Sequence, residues 1–500
     1  MGYFPNKVSQ GLSRLLLGLY PMLHSMAVVQ MPRSAADHVA FDLAEILHYQ
    51  RGLRKRLTPE YNFPKKNFHM TPLLNSPFFR FYDRIWSVAL PLLKFNQRLR
   101  VGYRQRLLDD RWPGPADLWI QAASVGEALL VWELLKRFDS PPPFSAWITT
   151  NTAQGLQILE QAIGEIDPLQ RNLRLGAGYF PFDKPALMRQ AVRILRPKVM
   201  VLLETELWPA HLAALKEVDT AVLLLNGRIT AQSLKRYRIW PSFWRRLRPD
   251  RILAVSEADA HRFGQLFGDD GIGVMPNIKF DRLGDPHPDS RPNPLAALLP
   301  ADKPVLVLGS VREQEEDALQ KIILNVLARH PNIVIALFPR HLHRLEAWTS
   351  FLENRRLPWQ LRSRVEPPVT PGSILLWDTF GELPQAYRLA TAAFVGGSLA
   401  PLGGQNFLEP LISGIRPVIG PYWETFQWVG QDIMDLGLVR VVADWQEAAD
   451  TLARDVAQPS AAEDVRREAR RYIAARQGGT AAAWALIREY LQKKSASRLH

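Results

Sequence analysis

The stretch Val201-Leu-Leu-Glu-Thr-Glu-Leu-Trp-Pro209 decides the fold class. The apolar run from Val199 to Leu203 reads as a strand buried on both faces, the kind that parallel sheets contain. It stops at two carboxylates, Glu204 and Glu206, followed by Trp208-Pro209. In open α/β sheets ligands sit just beyond the carboxyl ends of the strands, so an acid placed there is positioned for chemistry. The same residues also suit the start of a helix, where acids and proline are favoured.

Working outward, short apolar runs alternate with helical segments at 118–123, 144–149, 199–204, 221–226 and 252–255. A Pro-rich stretch at 285–294 reads as a linker. A second series follows at 305–308, 333–338, 374–377, 392–395 and 417–419, and the tail at 461–492 is expected to be helical. Strand–helix alternation on both sides predicts an α/β protein with two doubly wound, Rossmann-like domains facing a cleft. The expected boundaries are an extension of unknown role at 1–69, an amphipathic segment at 70–115, a first α/β domain at 116–284, a linker at 285–303 and a second α/β domain at 304–500.

Composition narrows the function classes. The chain has 500 residues and no cysteine, which excludes disulfides, thiolate metal sites and cysteine nucleophiles. The net charge of +13 is concentrated at one end, since residues 1–108 hold 16 Lys/Arg against 5 Asp/Glu. A basic end suggests an anchoring surface. Within it, residues 78–94 mix aromatics, aliphatics and cations, but the apolar centre at 85–93 is far shorter than the roughly twenty residues a spanning helix needs. The segment is expected to lie in a membrane interface, with Arg98, Arg100, Arg104 and Arg106 facing anionic headgroups. The competing reading is an amphipathic helix packed on its own protein. Arg14, Pro21 and His24 interrupt the apolar stretch at the N-terminus, so no signal peptide is expected. The basic residues sit in an aromatic-apolar segment rather than on a recognition helix, which argues against nucleic acid. No cluster of His and carboxylates has metal-ligand spacing.

Several loops carry candidate chemistry. Ser124-Val-Gly-Glu127 follows the first strand and has capping-box spacing, yet Glu127 can serve as both cap and base. Pro276-Asn-Ile-Lys-Phe-Asp281 places Lys279 before the linker, and Asn226-Gly-Arg228 ends another strand. In the second half, Phe338-Pro339-Arg340-His341 ends a strand with a guanidinium able to fork a phosphate. Trp377-Asp-Thr-Phe-Gly-Glu382 ends the next. Gly396-Gly-Ser-Leu399 and Gly403-Gly-Gln-Asn-Phe-Leu-Glu409 follow another, and paired glycines can cradle a phosphate on backbone N–H groups. Together these loops predict a nucleotide site, although neither the Lys-bearing P-loop nor the three-glycine dinucleotide fingerprint is present.

With these residues in hand, the chain resembles the Kdo transferases of bacterial lipopolysaccharide synthesis. The matching motifs are Ser-Val-Gly-Glu at 124–127, Glu-Thr-Glu-Leu-Trp-Pro at 204–209, Lys-Phe-Asp at 279–281, Pro-Arg-His at 339–341, Asp-Thr-Phe-Gly-Glu-Leu at 378–383, Phe-Val-Gly-Gly-Ser-Leu at 394–399 and Gly-Gly-Gln-Asn-Phe-Leu-Glu at 403–409. The resemblance runs in order from about residue 79 to 490. It implies a GT-B glycosyltransferase that moves Kdo from CMP-Kdo to a lipid A precursor with inversion, on the cytoplasmic face of the inner membrane. CMP-Kdo is a co-substrate in this scheme, and no cofactor or metal is expected. Carried over by motif, Glu127 is the base, and Glu204 and Lys279 stabilise the transition state. Pro339, Arg340, Phe380, Gly381, Glu382, Asn406, Phe407, Leu408 and Glu409 hold CMP. Arg312 and Gln405 stand where the family often has His, and Phe407 where it often has Pro. The rival readings are a GT-B enzyme with another nucleotide-activated sugar and a non-catalytic membrane-bound sugar-nucleotide or lipid-binding protein.

Overall fold

A computed structural model of the chain describes residues 73–109, 112–137, 144–166, 173–283, 292–299, 303–365 and 367–496; the expected extension at 1–69 lies outside them. The chain divides into two compact units. The first ends at Arg282 and takes up the chain again at Gly478, and the second is Leu283–Gln477.

The first unit is built on seven strands: β1 (Leu118–Gln121), β2 (Phe144–Thr150), β3 (Leu173–Tyr179), β4 (Val199–Leu203), β5 (Ala221–Gly227), β6 (Arg251–Ala254) and β7 (Ile272–Val274). All neighbours run parallel in the order β3-β2-β1-β4-β5-β6-β7. Helices cover both faces, which is why every residue of β4 is apolar and buried. Leu118 and Ile120 join the core on one face, and Trp119 the core on the other. The winding reverses between β1 and β4, so a crevice for ligands opens past the ends of these two strands. The helices of this unit include α1 (Pro77–Leu93), α2 (Val125–Lys136), α3 (Pro209–Glu217) and α4 (Gly479–Ala496).

β3 has no counterpart among the sequence expectations because its residues, Leu-Arg-Leu-Gly-Ala-Gly-Tyr, lack an apolar run. Its glycines answer to neighbours instead. A Cβ on Gly176 would lie 2.5 Å from the Trp147 ring, and one on Gly178 2.7 Å from both Trp147 and Gln105.

Part of the basic N-terminal segment packs inward. Phe79, Tyr82, Trp86 and Leu93 of α1 are buried in the core of the first unit. Lys184 ties the helix down, pairing with Asp83 at 2.7 Å and donating to Ser87 at 2.8 Å. Arg106, expected to face lipid headgroups, is only 3% exposed. Its guanidinium donates to the carbonyls of Phe180 at 3.0 Å and Asn151 at 2.7 Å, and lies 4.7 Å from the Tyr179 ring centre. It therefore stitches the segment to the loops after β2 and β3. The side chain of Arg98 lies outside the described residues.

The second unit repeats the plan with β8 (Val305–Val311), β9 (Val334–Pro339), β10 (Trp359–Leu361), β11 (Ile374–Leu376), β12 (Ala392–Val395), β13 (Val418–Ile419) and β14 (Arg440–Val441). Its parallel order is β10-β11-β9-β8-β12-β13-β14, which puts the reversal of winding between β8 and β12. Two expected boundaries shift. Leu295, Leu298 and Leu299, assigned to the linker, are buried in this unit because apolar side chains gain more from the core than from solvent. The second domain also stops before residue 500, because α4 returns to the first unit. Ala483, Trp484, Leu486 and Ile487 enter that unit's core, and the Trp484 indole donates to the Leu134 carbonyl at 2.7 Å.

The start of α4 is held by Asp281, the last residue of the Lys-Phe-Asp motif. This carboxylate is 1% exposed and accepts the N–H groups of Gly478 at 2.7 Å and Thr480 at 2.6 Å. Replacing it leaves buried donors at a helix start without an acceptor. Asp281→Ala should lower the stability of the first unit by about 2 kcal/mol, read as an earlier denaturant transition in the intrinsic fluorescence of Trp484 and its neighbours. An unmoved transition would show that water replaces the carboxylate without loss.

Candidate functional site

In the first unit the candidate residues gather where the topology opens its crevice. Ser124 caps α2, its hydroxyl oxygen accepting the Glu127 N–H at 3.3 Å. The Glu127 side chain turns back and accepts the Ala123 N–H at 2.6 Å and the Ser124 hydroxyl at 2.9 Å. The capping and the basic reading thus fall on one carboxylate, 7% exposed at the end of β1.

Glu204 follows β4 with φ +55°, and Asn226, one residue before the end of the neighbouring β5, has φ +53°. The left-handed region costs a non-glycine residue roughly 1–2 kcal/mol. At Glu204 the bend coincides with an ion pair to Lys279 at 2.7 Å. Lys279 is itself held in place: Asn277 accepts its N–H at 3.0 Å, and Asn226 accepts the N–H of Ile278 at 2.9 Å. The three sequence-predicted catalytic residues, Glu127, Glu204 and Lys279, are therefore brought to one side of one sheet. Glu206 joins them, its carboxylate accepting the Trp208 indole N–H at 2.7 Å.

The electrostatics follow from this crowding. Burial, then the charges of Glu206 and Glu204, push the Glu127 carboxyl well above the usual carboxylate range. Burial also raises Glu206, with Glu204 adding to it against the pull of Trp208. A carboxylate in this state binds protons more tightly than an ordinary glutamate, which suits a group that must accept one. Glu206 was legible as half of a two-acid spacing; its coupling to Glu127 depends on a fold contact that spacing cannot reveal.

An apolar wall backs the acids. Trp208 packs on Phe180 with ring centres 6.0 Å apart, and His211 sits 4.7 Å from Trp119 and 5.0 Å from Phe180. Burial pushes the His211 imidazole down to about 3, so this histidine stays neutral. Asp183 fixes the wall by accepting the N–H groups of Ala210 at 3.1 Å and His211 at 2.8 Å in the first turn of α3, and the Tyr82 hydroxyl at 2.9 Å. Through Tyr82, α1 helps to position the helix that follows the two acids.

Of the expected CMP residues in the second unit, Pro339 ends β9 and Arg340 follows it, Phe380 to Glu382 lie past β11, and Asn406 to Glu409 lie past β12, with Leu408 and Glu409 opening a short helix. Arg340 follows β9 with an exposed side chain, close enough to Glu409 to draw its carboxyl down against the larger effect of burial. Asn406 donates to Glu409 at 2.9 Å and accepts the Leu408 N–H at 3.2 Å. The Glu382 carboxylate is fully engaged by Arg362 at 2.9 and 3.0 Å, the Trp377 indole at 2.8 Å and the Thr379 hydroxyl at 3.0 Å. It shapes its loop, leaving Phe380, 74% exposed, and Gly381, with φ +89°, at the surface. Phe407 is fully buried with its ring 5.2 Å from Phe426, and Leu408 is buried beside it, so these two have only backbone to offer a ligand. The departure from Pro to Phe at 407 is thus absorbed in packing.

The paired glycines do not behave as expected. The N–H groups of Gly397, Ser398 and Leu399 are all taken by the carboxylate of Glu315, at 2.6, 3.2 and 3.3 Å. The Gly404 N–H is taken by the Gly397 carbonyl at 2.7 Å. The expected phosphate cradle on these groups is filled from within the protein. Among the described residues, no group of three or more His or carboxylate side chains could hold a metal ion.

Comparisons with known proteins identify the family. Residues 94–282 match the family 3-Deoxy-D-manno-octulosonic-acid transferase (kdotransferase). The 3-deoxy-D-manno-octulosonic acid transferase of Bordetella pertussis is 30% identical over 74% of this chain and 87% of its own length. That of Haemophilus influenzae is 28% identical over 75% of this chain and 89% of its own. Among solved structures, a glycosyltransferase from Rickettsia africae matches 76% of this chain and 99% of its own with a TM-score of 0.50 at 12% identity, a likeness of fold. The C-terminal CMP-Kdo binding domain of WaaA from Acinetobacter baumannii matches 34% of this chain and 90% of its own at 28% identity, with a TM-score of 0.32. The two parallel sheets are those of a GT-B glycosyltransferase. The chain belongs to the 3-deoxy-D-manno-octulosonic acid (Kdo) transferase family, the glycosyltransferases that serve lipopolysaccharide biosynthesis.

Proposed function

We propose that this glycosyltransferase moves Kdo from CMP-Kdo to a lipid A precursor, inverting the anomeric carbon. The observation that carries the reading is Glu127, a buried carboxylate raised in proton affinity by burial and by two neighbouring acids. An acceptor hydroxyl must lose its proton as its oxygen attacks the anomeric carbon of the donor, and Glu127 takes that proton. The bond from the anomeric carbon to the CMP phosphate oxygen breaks at the same time, and its electron pair leaves with CMP. The anomeric carbon gains positive character as CMP departs, which the carboxylate of Glu204 offsets. Lys279, paired to Glu204, stabilises the transition state with it, and Arg340 of the second unit offers a guanidinium able to fork a phosphate. A monophosphate leaving group carries less charge than a diphosphate, so the scheme demands no divalent metal.

The partner proposed for the basic segment is an anionic inner-membrane surface on the cytoplasmic side. Two observations support it. Phe81, Val88, Leu92, Phe95 and Val101 remain exposed although the opposite side of α1 is buried, and Arg80, Arg84, Arg100 and Arg104 are exposed among them. The adjoining helices Ala231–Tyr237 and Pro241–Arg246 add exposed Lys235, Arg238, Arg245 and Arg246 around exposed Ile239, and Phe78 joins the two regions through ring contacts with Trp240 and Phe243. None of the described helices is long and apolar enough to cross a membrane. Apolar side chains flanked by cations suit the headgroup boundary.

Transfer by the purified protein, with CMP-Kdo generated in place and a lipid A precursor as acceptor, tests the reading by product mass. The wild type should give a product heavier by whole Kdo units. Glu127→Ala should lower turnover by about 10²–10⁴-fold, the usual worth of a general base, while CMP still binds. Wild-type CMP binding without product would move the reading to another donor or acceptor, and retained turnover in Glu127→Ala would remove the base assignment.

The raised proton affinity has a directional consequence. A base works deprotonated, so the acidic limb of kcat/KM should lie above the ordinary glutamate range. Glu206→Gln removes a like charge that raises Glu127, so the limb should move to lower pH. A limb that stays in place would mean that Glu127 does not sense Glu206 during turnover.

For the membrane surface, sedimentation with phosphatidylglycerol-containing vesicles should retain the protein, and zwitterionic vesicles or high salt should retain less. The pair Val88→Glu and Phe95→Glu should release it. Equal recovery with both vesicle types, unaffected by these changes, would overturn the assignment.

A further inference from the structure

One buried carboxylate in the second unit is absorbed by none of the roles above. Glu315 lies at the end of the segment that leaves β8, 2% exposed. One oxygen accepts the N–H groups of Gly397 at 2.6 Å and Arg312 at 2.9 Å, and the other those of Ser398 at 3.2 Å and Leu399 at 3.3 Å. Four backbone donors thus converge on a single side chain, three of them from the loop that leaves β12. β8 and β12 are the neighbours between which the winding of this sheet reverses, so Glu315 bridges the place where α/β sheets receive ligands.

The surrounding residues accommodate this approach. A Cβ on Gly396 would fall 2.6 Å from the Glu315 oxygen and 2.6 Å from the Ser310 carbonyl, so only glycine lets the carboxylate in. Gly397 has φ +69°, and its carbonyl accepts the Gly404 N–H at 2.7 Å. Gly404 begins the run that continues through Gln405 to Asn406 and Glu409. The Ser398 hydroxyl adds a further tie by accepting the Gly420 N–H at 2.9 Å. A successive row of N–H groups is an anion-binding concavity, and here the anion belongs to the protein.

We infer that Glu315 is a positioning residue of the donor site: its carboxylate is the resident anion of the Gly397–Leu399 concavity and, through Gly397 and Gly404, sets the loop bearing Asn406 and Glu409. The inference rests on the reading that the second unit holds the CMP-sugar. It also means that the donor phosphate finds no free N–H groups at Gly397, Ser398 or Leu399, so its charge falls to side chains such as Arg340.

The test uses the full chain with Glu315→Ala and Glu315→Gln. Glu315→Ala should weaken CMP binding and raise the KM for CMP-Kdo by about tenfold, the scale of charged hydrogen bonds lost, with kcat changed much less. Formate, which can enter the vacated concavity, should restore most of the affinity in Glu315→Ala and leave the wild type unaffected; general damage to the fold would not respond to it. A folded Glu315→Ala with wild-type CMP affinity, or with a loss that formate does not restore, would overturn the inference. If Glu315→Ala does not fold, Glu315→Gln decides, since the neutral amide keeps the volume and weakens the contacts: CMP affinity should fall, and unchanged affinity refutes the proposal. If the wild type itself binds no CMP, the donor reading fails separately. Amide exchange then tests the positioning alone: exchange at Gly397, Leu399 and Gly404 should quicken in Glu315→Gln, and unchanged rates count against it.

Discussion

Like-charge crowding at the end of β4 is the constraint on which the site depends. Glu127, Glu204 and Glu206 act on one another there, and Lys279 pairs with Glu204. An isolated buried carboxylate would be expensive, and three near one another more so. The fold tolerates the cluster because each acid has donors of its own: backbone and hydroxyl for Glu127, an ammonium for Glu204, an indole for Glu206. Those donors are in turn held by neighbouring side chains, near and distant in sequence. Asn226 and Asn277 place Lys279, and Asp183 fixes the helix that follows Trp208. The positive φ at Glu204 and the raised proton affinity at Glu127 thus fall in one cluster of acids.

The same device, a carboxylate seated on backbone N–H groups at a sheet's reversal point, appears in both units with different outcomes. Glu127 accepts one backbone N–H and one hydroxyl, and its like-charged neighbours and burial hold its proton affinity high. Glu315 accepts four backbone N–H groups and is spent on architecture. The two carboxylates differ in how many backbone donors surround them. Sequence position past a strand end is shared by both.

Much of this was legible from the chain. Strands such as β1, β4, β5 and β8 carry apolar runs, and Glu204 and Asn226, which stop those of β4 and β5, lie in the site. Ser124 and Glu127 announced a helix start by spacing alone. What escaped was set by contacts between distant residues. β3 is a strand despite its two glycines, because Trp147 and Gln105 need the room. Arg106 looked like a surface cation, yet aromatic faces and two carbonyls draw it inward. The glycines of 396–404 suggested a phosphate cradle because glycine reports only that backbone must be approached closely. It does not say whether a ligand or a carboxylate 82 residues earlier makes the approach.

Asp281 gives the connectivity a consequence of its own. The chain departs from the first unit at Arg282 and rejoins it at Gly478, and the acid one residue before the departure grips the backbone at the return. In topological terms the second unit is an insertion in a continuous first unit, with its two ends clasped at a single point. Such a layout lets one module be exchanged or reshaped without recutting the other, because the host core closes on itself through α4. The two sheets can then diverge as separate inheritances within one polypeptide.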